Sequence, residues 1–233
     1  LQYSGGTTGT PKGAMLSHAN LASNAVQVDM IDPFDPNEPD SVLGALPLFH
    51  VFANTCVLNR TVVKGGRIVM LPRFDAGQVL KTITNSRPRA FPGVPTMFQA
   101  LLDHPDFAKT DFSSLQICIS GGAPLPAPVR EKFEKGTGVR LVEGYGLTEA
   151  TCLVSCNPTD GPKKVGSIGI AFPYSDVRII KGTADGPIDA ETDEIGEICV
   201  SNPGVFAGHT YVEEDKNKDE DEATERRVAA EGA

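Results

Sequence analysis

The chain has 233 residues, of which 40% are apolar, 22% charged and 6% aromatic, and its formal net charge is −9. That composition excludes collagen-like, coiled-coil and wholly disordered classes, and the length suits one large domain or one domain plus part of another. The acidic balance argues against a nucleic-acid partner, and no run of ~20 apolar residues offers a transmembrane segment.

In chain order, a glycine-rich stretch over Tyr3–Gly13 comes first, and Ala14–Leu16 after it reads as a strand. The strand expected to feed that stretch is almost absent, and the chain opens at Leu1 without an initiator Met. Both features lead us to expect a piece cut from a longer protein. Ser17 is placed to cap a helix from His18 to about Gln27, its hydroxyl accepting an otherwise unpaired N–H. Asp32–Asp40, with three prolines and four acidic residues, is a loop. Ser41–Leu46 and Arg67–Leu71 read as short buried strands, the second after the turn Lys64-Gly65-Gly66. Ala76–Asn85 is predicted helical, with Val79, Leu80 and Ile83 on one face.

Ala90-Phe91 is a short strand closed by Pro92-Gly93, followed by a helix over Thr96–Leu102. Leu115–Ile119 is a strand, Pro126–Lys135 a helix and Arg140–Val142 a strand. This alternation predicts an α/β class: a largely parallel sheet flanked by helices over residues 1–163. Beyond it, Asp176–Ile180 and Glu197–Val200 are extended pieces without helices, the start of a small β-subdomain over residues 164–212. Residues 213–233 form a charged segment: Glu213–Arg227 holds eight acidic residues against four basic ones and reads as a solvated helix or a disordered stretch. Cys56, Cys118, Cys152, Cys156 and Cys199 match neither a disulfide framework nor a paired metal motif, which implies a reducing, cytoplasmic setting.

The chemistry concentrates in three places. Tyr-Ser-Gly-Gly-Thr-Thr-Gly-Thr-Pro-Lys-Gly over Tyr3–Gly13 combines bare backbone, Ser and Thr hydroxyls and one lysine, a set suited to phosphate oxygens. It is not a Walker A loop, because Lys12 follows Pro11 and precedes Gly13. Ser120-Gly121-Gly122-Ala123-Pro124-Leu125 and Gly144-Tyr145-Gly146-Leu147-Thr148-Glu149 are the other two. Singly, Glu149 reads as an exposed loop acid and Tyr145 as a core aromatic; joined in one hexapeptide they read as a site. His50, beside Leu48, Phe49, Val51 and Phe52, has both a core and a functional reading. His18, His104, His209 and the cysteines lack metal-ligand spacing.

With Gly166-Ser167-Ile168-Gly169, Phe172-Pro173 and Pro47-Leu48-Phe49-His50-Val51-Phe52, these segments resemble the adenylate-forming superfamily in the right order, over residues 1 to about 211. That superfamily includes acyl-CoA synthetases, firefly luciferase and adenylation domains of peptide synthetases. The wording is most similar to bacterial long-chain fatty acyl-CoA synthetases. The resemblance implies that the small β-subdomain is the start of a β-barrel. It also implies activation of a fatty acid with ATP and Mg²⁺ to acyl-AMP and pyrophosphate, followed by transfer to CoA. By resemblance Ser4 and Glu149 attend the metal, and Thr7, Thr8, Gly9, Thr10 and Lys12 cradle the β- and γ-phosphates. Gly121, Gly122 and Ala123 border the adenine, on which Tyr145 stacks between Gly144 and Gly146. Thr148 meets the α-phosphate, and His50 lies by the acyl carboxylate, so Lys12, His50, Thr148 and Glu149 form the expected catalytic set.

Pro47–Leu58 contains no acidic residue to pair a substrate ammonium, which favours an uncharged acyl chain over an amino acid. Aryl- or amino-acid adenylation, a non-catalytic nucleotide-binding module and a P-loop kinase are the alternatives, and peripheral membrane contact stays compatible. The family's ribose-binding Asp and C-terminal catalytic Lys fall outside this chain, so the 233 residues alone are expected to be inactive.

Overall fold

The structure is a computed structural model that describes residues 1–5, 11–31, 39–183 and 186–210. Its centre is a seven-stranded sheet in the order β4-β3-β5-β6-β7-β8-β9. The strands are β3 (Ser41–Gly44), β4 (Arg67–Met70), β5 (Ala90–Gly93), β6 (Ile117–Ser120), β7 (Arg140–Gly146), β8 (Leu153–Cys156) and β9 (Ile170–Ala171). The β3–β4, β3–β5, β5–β6 and β6–β7 pairs are parallel, and β8 and β9 add antiparallel edges. Ile170-Ala171 therefore extends this sheet beyond residue 163.

Helices cover both faces. α1 (His18–Met30) starts as expected: the Asn20 N–H donates to Ser17 Oγ at 3.1 Å, and the Ser17 N–H donates to Asn20 Oδ1 at 2.9 Å. It runs three residues beyond Gln27. Against it packs a helical run with no sequence expectation: α2 (Val51–Ala53), a π-helical segment (Asn54–Asn59) and α3 (Arg60–Lys64). On the other face α4 (Ala76–Ser86), α5 (Pro95–Asp103) and α6 (Ala127–Thr137) pack in succession. Asp75 caps α4 by accepting the Gln78 N–H at 2.8 Å, and Gly138 ends α6 at φ 72°.

The core beneath α4–α6 is built on Phe91, Phe98 and Phe133, all fully buried. Phe98 meets Phe91 edge-on at 5.6 Å and Phe133 at 5.2 Å. Each such ring contributes roughly 1.5–3 kcal/mol by burial, with an edge-to-face increment. Val79, Leu80 and Ile83 supply the expected apolar face of α4. One buried ion pair, Arg60 to Asp40 at 2.5 Å, ties α3 to the start of β3.

Two smaller sheets complete the description. β10 (Asp176–Thr183) pairs antiparallel with β11 (Gly186–Asp189) and β12 (Glu197–Ser201), a three-stranded sheet that includes the extended pieces expected at 176–180 and 197–200. β1 (Gln2–Gly5), β2 (Pro11–Ala14) and β13 (His209–Thr210) form the other. This corrects two expectations. The strand before the glycine-rich loop is present as β1, because pairing with β2 organises four residues that carry little strand signal of their own. The strand after the loop ends at Ala14 rather than Leu16, where that pairing stops. Likewise β5 continues through Pro92 and Gly93: β3 pairs with it only at Ala90, so the missing N–H of Pro92 breaks no ladder there. The expectations for 32–38 and 213–227 fall outside the described residues.

Candidate active site

The parallel strands deliver their following loops to one edge of the sheet. From β3 the chain crosses to β4 on one side and returns to β5 on the other, so the loops after β3 and β5 diverge and leave a crevice at the strands' carboxyl ends. A cleft of about 540 Å³ lies there. Its walls come from Leu46, Pro47, His50 and Phe52 after β3, Phe74 after β4, Val94 and Met97 after β5, and Gly122 after β6. Among the described residues no Asp or Glu lines it; Arg73 does, and sequence reasoning missed this residue.

His50 caps α2. Its Nδ1 accepts the Phe52 N–H at 3.2 Å, so the neutral ring carries its proton on Nε2. The residue is exposed on the cleft wall, which removes the core reading. Phe52 is buried at the boundary between this cleft and the turn after β6. A Cβ on Gly121 would stand 3.2 Å from the Phe52 ring and 3.5 Å from the Gly144 carbonyl oxygen, so only a bare backbone fits comfortably between them. Gly122 follows at φ 79°, a conformation that favours glycine. The turn is pinned at its far end, where the Leu125 N–H donates to Glu143 Oε1 at 3.1 Å. Ala123 is exposed on it, and the buried Ser120 Oγ beneath has no hydrogen-bond partner among the described residues.

Strand β7 carries the second cluster. Tyr145 is half-buried opposite Ser155, a β-bulge follows it, and Thr148–Ala150 form a 3-10 turn that holds Thr148 and Glu149 half-buried. Gly144 and Gly146 are required by packing. A Cβ on Gly144 would meet Leu153 at 3.0 Å, and one on Gly146 would lie 1.6 Å from the Cys152 carbonyl oxygen. Among the described residues no three His, Cys, Asp or Glu side chains converge on one point.

Lys12, in β2, stands half-buried opposite Ser4 of β1, so these two flank the glycine-rich loop in register. Thr7, Thr8, Gly9 and Thr10 lie outside the described residues. The structure thus brings His50 and Gly122 to one cleft, with the Gly144 carbonyl beside Gly121 in the same turn. The cysteines agree with an inert role: all five are buried and none forms a disulfide among the described residues. Burial pushes Cys156 up to about 12 and raises Cys118 further, and a hydrogen bond with Cys152 together with burial raises Cys56.

Among known proteins, the family model described as AMP-binding enzyme matches residues 1–210. The long-chain-fatty-acid–CoA ligase of Bacillus subtilis is 43% identical over 210 residues, which cover 90% of this chain and 37% of that protein. A feruloyl-CoA synthase of Amycolatopsis is 39% identical over 210 residues, 90% of this chain and 42% of that protein. The crystal structure of ATP-bound MatB from Rhodopseudomonas palustris superposes with a TM-score of 0.82 at 35% identity, covering 93% of this chain and 41% of that one. The chain spans about 37% of the length of the first curated relatives it matches. With the family match running through residue 210, and the sheet, cleft and glycine turns arranged as described, the chain belongs to the AMP-binding enzyme family.

Proposed function

We propose that the full-length protein containing this chain is an AMP-forming acid–thiol ligase that acts on a fatty acid. The observation that carries the reading is the cleft: among the described residues its walls, reaching from His50 to Gly122, are largely apolar and include no acidic side chain. An acyl chain suits those walls, whereas an amino-acid substrate would bury an ammonium there without a carboxylate. The relatives named long-chain-fatty-acid–CoA ligases support the same class.

In this reading the substrate carboxylate attacks the α-phosphorus of ATP; a C–O–P linkage forms and the bond to pyrophosphate breaks. The CoA thiol then attacks the acyl carbonyl, and AMP leaves. Two anions must be brought together, so geometry and positive charge carry the catalysis. Lys12 offers an ammonium and Thr148 a hydroxyl to the phosphates, while His50 presents Nε2–H to the acid in the cleft. The bare backbone at Gly121-Gly122 and the half-buried ring of Tyr145 suit a flat base. The donor set fits Mg²⁺, which accepts one carboxylate with phosphate and water oxygens and needs no cluster of protein ligands. Glu149 would hold that ion, with Ser4 nearby; when bound, Mg²⁺ supplies charge neutralisation at the phosphates. Five buried cysteines outside any disulfide among the described residues support a reducing compartment.

The test is ATP–pyrophosphate exchange by the full-length protein, scanned over fatty, aryl and amino acids with and without CoA. Exchange dependent on fatty acids, with acyl-CoA formed when the thiol is added, is expected. Exchange driven by hydroxycinnamates instead would move the assignment toward the chemistry named for the Amycolatopsis relative. No acid-dependent exchange at all would overturn catalysis.

A further inference from the structure

The backbone just after Glu149 is held in a costly shape. Thr151 lies at φ 71°, ψ −46°, and the Cys152 N–H donates across it to the Ala150 carbonyl at 2.9 Å. That is the rare, strained form of the γ-turn, occupied by a β-branched residue that seldom takes positive φ. Such strain persists only where the surroundings over-determine it, and it gathers at functional sites.

The surroundings here are residues 203–208. Thr151 is fully buried and its Oγ1 donates to the Gly204 carbonyl at 2.6 Å. The Phe206 N–H donates to the Glu149 carbonyl at 2.7 Å, and Gly204 packs so closely that a Cβ on it would stand 2.8 Å from the Ala150 oxygen. The other side of this segment is gripped by Asn20, whose Nδ2 donates to the carbonyls of Pro203 and Val205, both at 2.9 Å. Asn20 is itself fixed through Oδ1 by the Ser17 N–H and hydroxyl. Farther on, the Met15 N–H donates to the Gly208 carbonyl at 2.9 Å, one residue past the end of β2, the strand that carries Lys12. One strap therefore touches both the Glu149 turn and the continuation of the Lys12 strand.

We propose that Thr151 is a positioning residue. Locked to Gly204, its strained turn aims Thr148 and Glu149 toward the phosphates and sets their spacing from the Lys12 strand. The proposal rests on the reading of this site as a Mg·ATP-dependent centre, and Thr151 itself touches no reactant. Its strain is retained because the hydroxyl latch is needed, not because the fold requires threonine there.

The experiment compares Thr151→Gly, Thr151→Ser and Asn20→Asp in the full-length protein by three measurements: melting temperature, Mg·ATP affinity by calorimetry, and acid-dependent pyrophosphate exchange. Glycine takes positive φ freely but loses the latch, so Thr151→Gly should melt within about 4 °C of wild type. Its Mg·ATP affinity should fall about tenfold and kcat on the order of 10- to 100-fold, with KM for the acid unchanged. Thr151→Ser keeps the hydroxyl and should restore both toward wild type. Asn20→Asp keeps the helix cap but loses both donors to the strap, and should reproduce the kinetic signature even if Thr151→Gly folds poorly. Wild-type affinity and kcat in folded Thr151→Gly or Asn20→Asp would overturn the proposal, as would losses in Thr151→Ser equal to those in Thr151→Gly. A wild type that binds Mg·ATP but shows no acid-dependent exchange would sink the functional reading alone, because the affinities would still decide the role of Thr151.

Discussion

Replacing Gly146 with alanine should force β7 and β8 apart. The new Cβ would stand 1.6 Å from the Cys152 carbonyl oxygen and 2.9 Å from Leu153 Cα, where ordinary contact begins at 3.4 Å. The β8 backbone must therefore retreat by nearly 2 Å, which a ladder with strands ~4.8 Å apart cannot absorb. The retreat breaks the Gly146–Leu153 pairing and withdraws Leu153, now almost fully buried against Gly144. About two ladder hydrogen bonds at ~1 kcal/mol each, plus part of the ~2–3 kcal/mol from burying Leu153, give a loss of about 3–4 kcal/mol. Gly182, in β10, is the control: none of the described residues lies within 4 Å of its Cβ position, so alanine there should be neutral or stabilise by ~0.5–1 kcal/mol. Urea unfolding midpoints of the two full-length variants, read at equal slope, check the difference. A Gly146→Ala midpoint equal to that of Gly182→Ala would refute the packing argument. The same retreat displaces Thr148 and Glu149, so activity should fall even where the variant stays folded.

Three other outcomes are expected. Glu149→Gln should lower acyl-adenylate formation by about 100-fold or more at unchanged melting temperature, since an amide cannot balance the ion's charge; near wild-type adenylation at saturating Mg²⁺ would remove Glu149 from that role. Lys12→Ala should weaken ATP binding by about 10- to 100-fold and AMP binding much less, because the lost cation faces the outer phosphates; equal losses by calorimetry would place Lys12 elsewhere. Because burial raises Cys118 and holds Cys156 up at about 12, native protein at pH 8 should resist iodoacetamide while unfolded protein takes up five equivalents. Rapid labelling of Cys118 in the folded state would contradict its burial.

Apart from one helical run, the strands and helices between Ser41 and Val142 were legible because each carries its own signal: apolar runs bounded by Gly or Pro, and helices with 3.6-residue periodicity. Val79, Leu80 and Ile83 on α4 are such a case. The helical run from Val51 to Lys64 was not legible. It mixes β-branched and aromatic residues, and its Asn54–Asn59 turn is a π-helix, which breaks the 3.6-residue repeat that reading depends on. The glycines of the site could be read as motif members, but not for the reasons they are needed. Gly146 faces the Cys152 carbonyl across the turn between β7 and β8, and Gly121 faces the Phe52 ring, which arrives from a distant part of the chain. Arg73 was missed because the residues after β4 reach the cleft only through the crossover of the sheet.

The strap was the least readable element, for a physical reason. Asn20 bonds to carbonyls 183 and 185 residues away, and those acceptors, like the Phe206 N–H, are backbone groups that every sequence possesses. A backbone contact leaves no mark on residue identity except where it excludes a side chain, as at Gly204, or imposes strain, as at Thr151. The strain is hidden too, since sequence habit assigns positive φ to glycine or asparagine and not to threonine. The consequence is functional. Residues 203–208, beyond the boundary that the end of the strand–helix alternation suggests near 163, hold the turn that carries Glu149. The Lys12 strand and the Glu149 turn, more than 130 residues apart in the chain, keep their spacing through a third segment that contributes no side chain to the cleft. Changes in that segment should therefore act on phosphate geometry before they act on the acyl site.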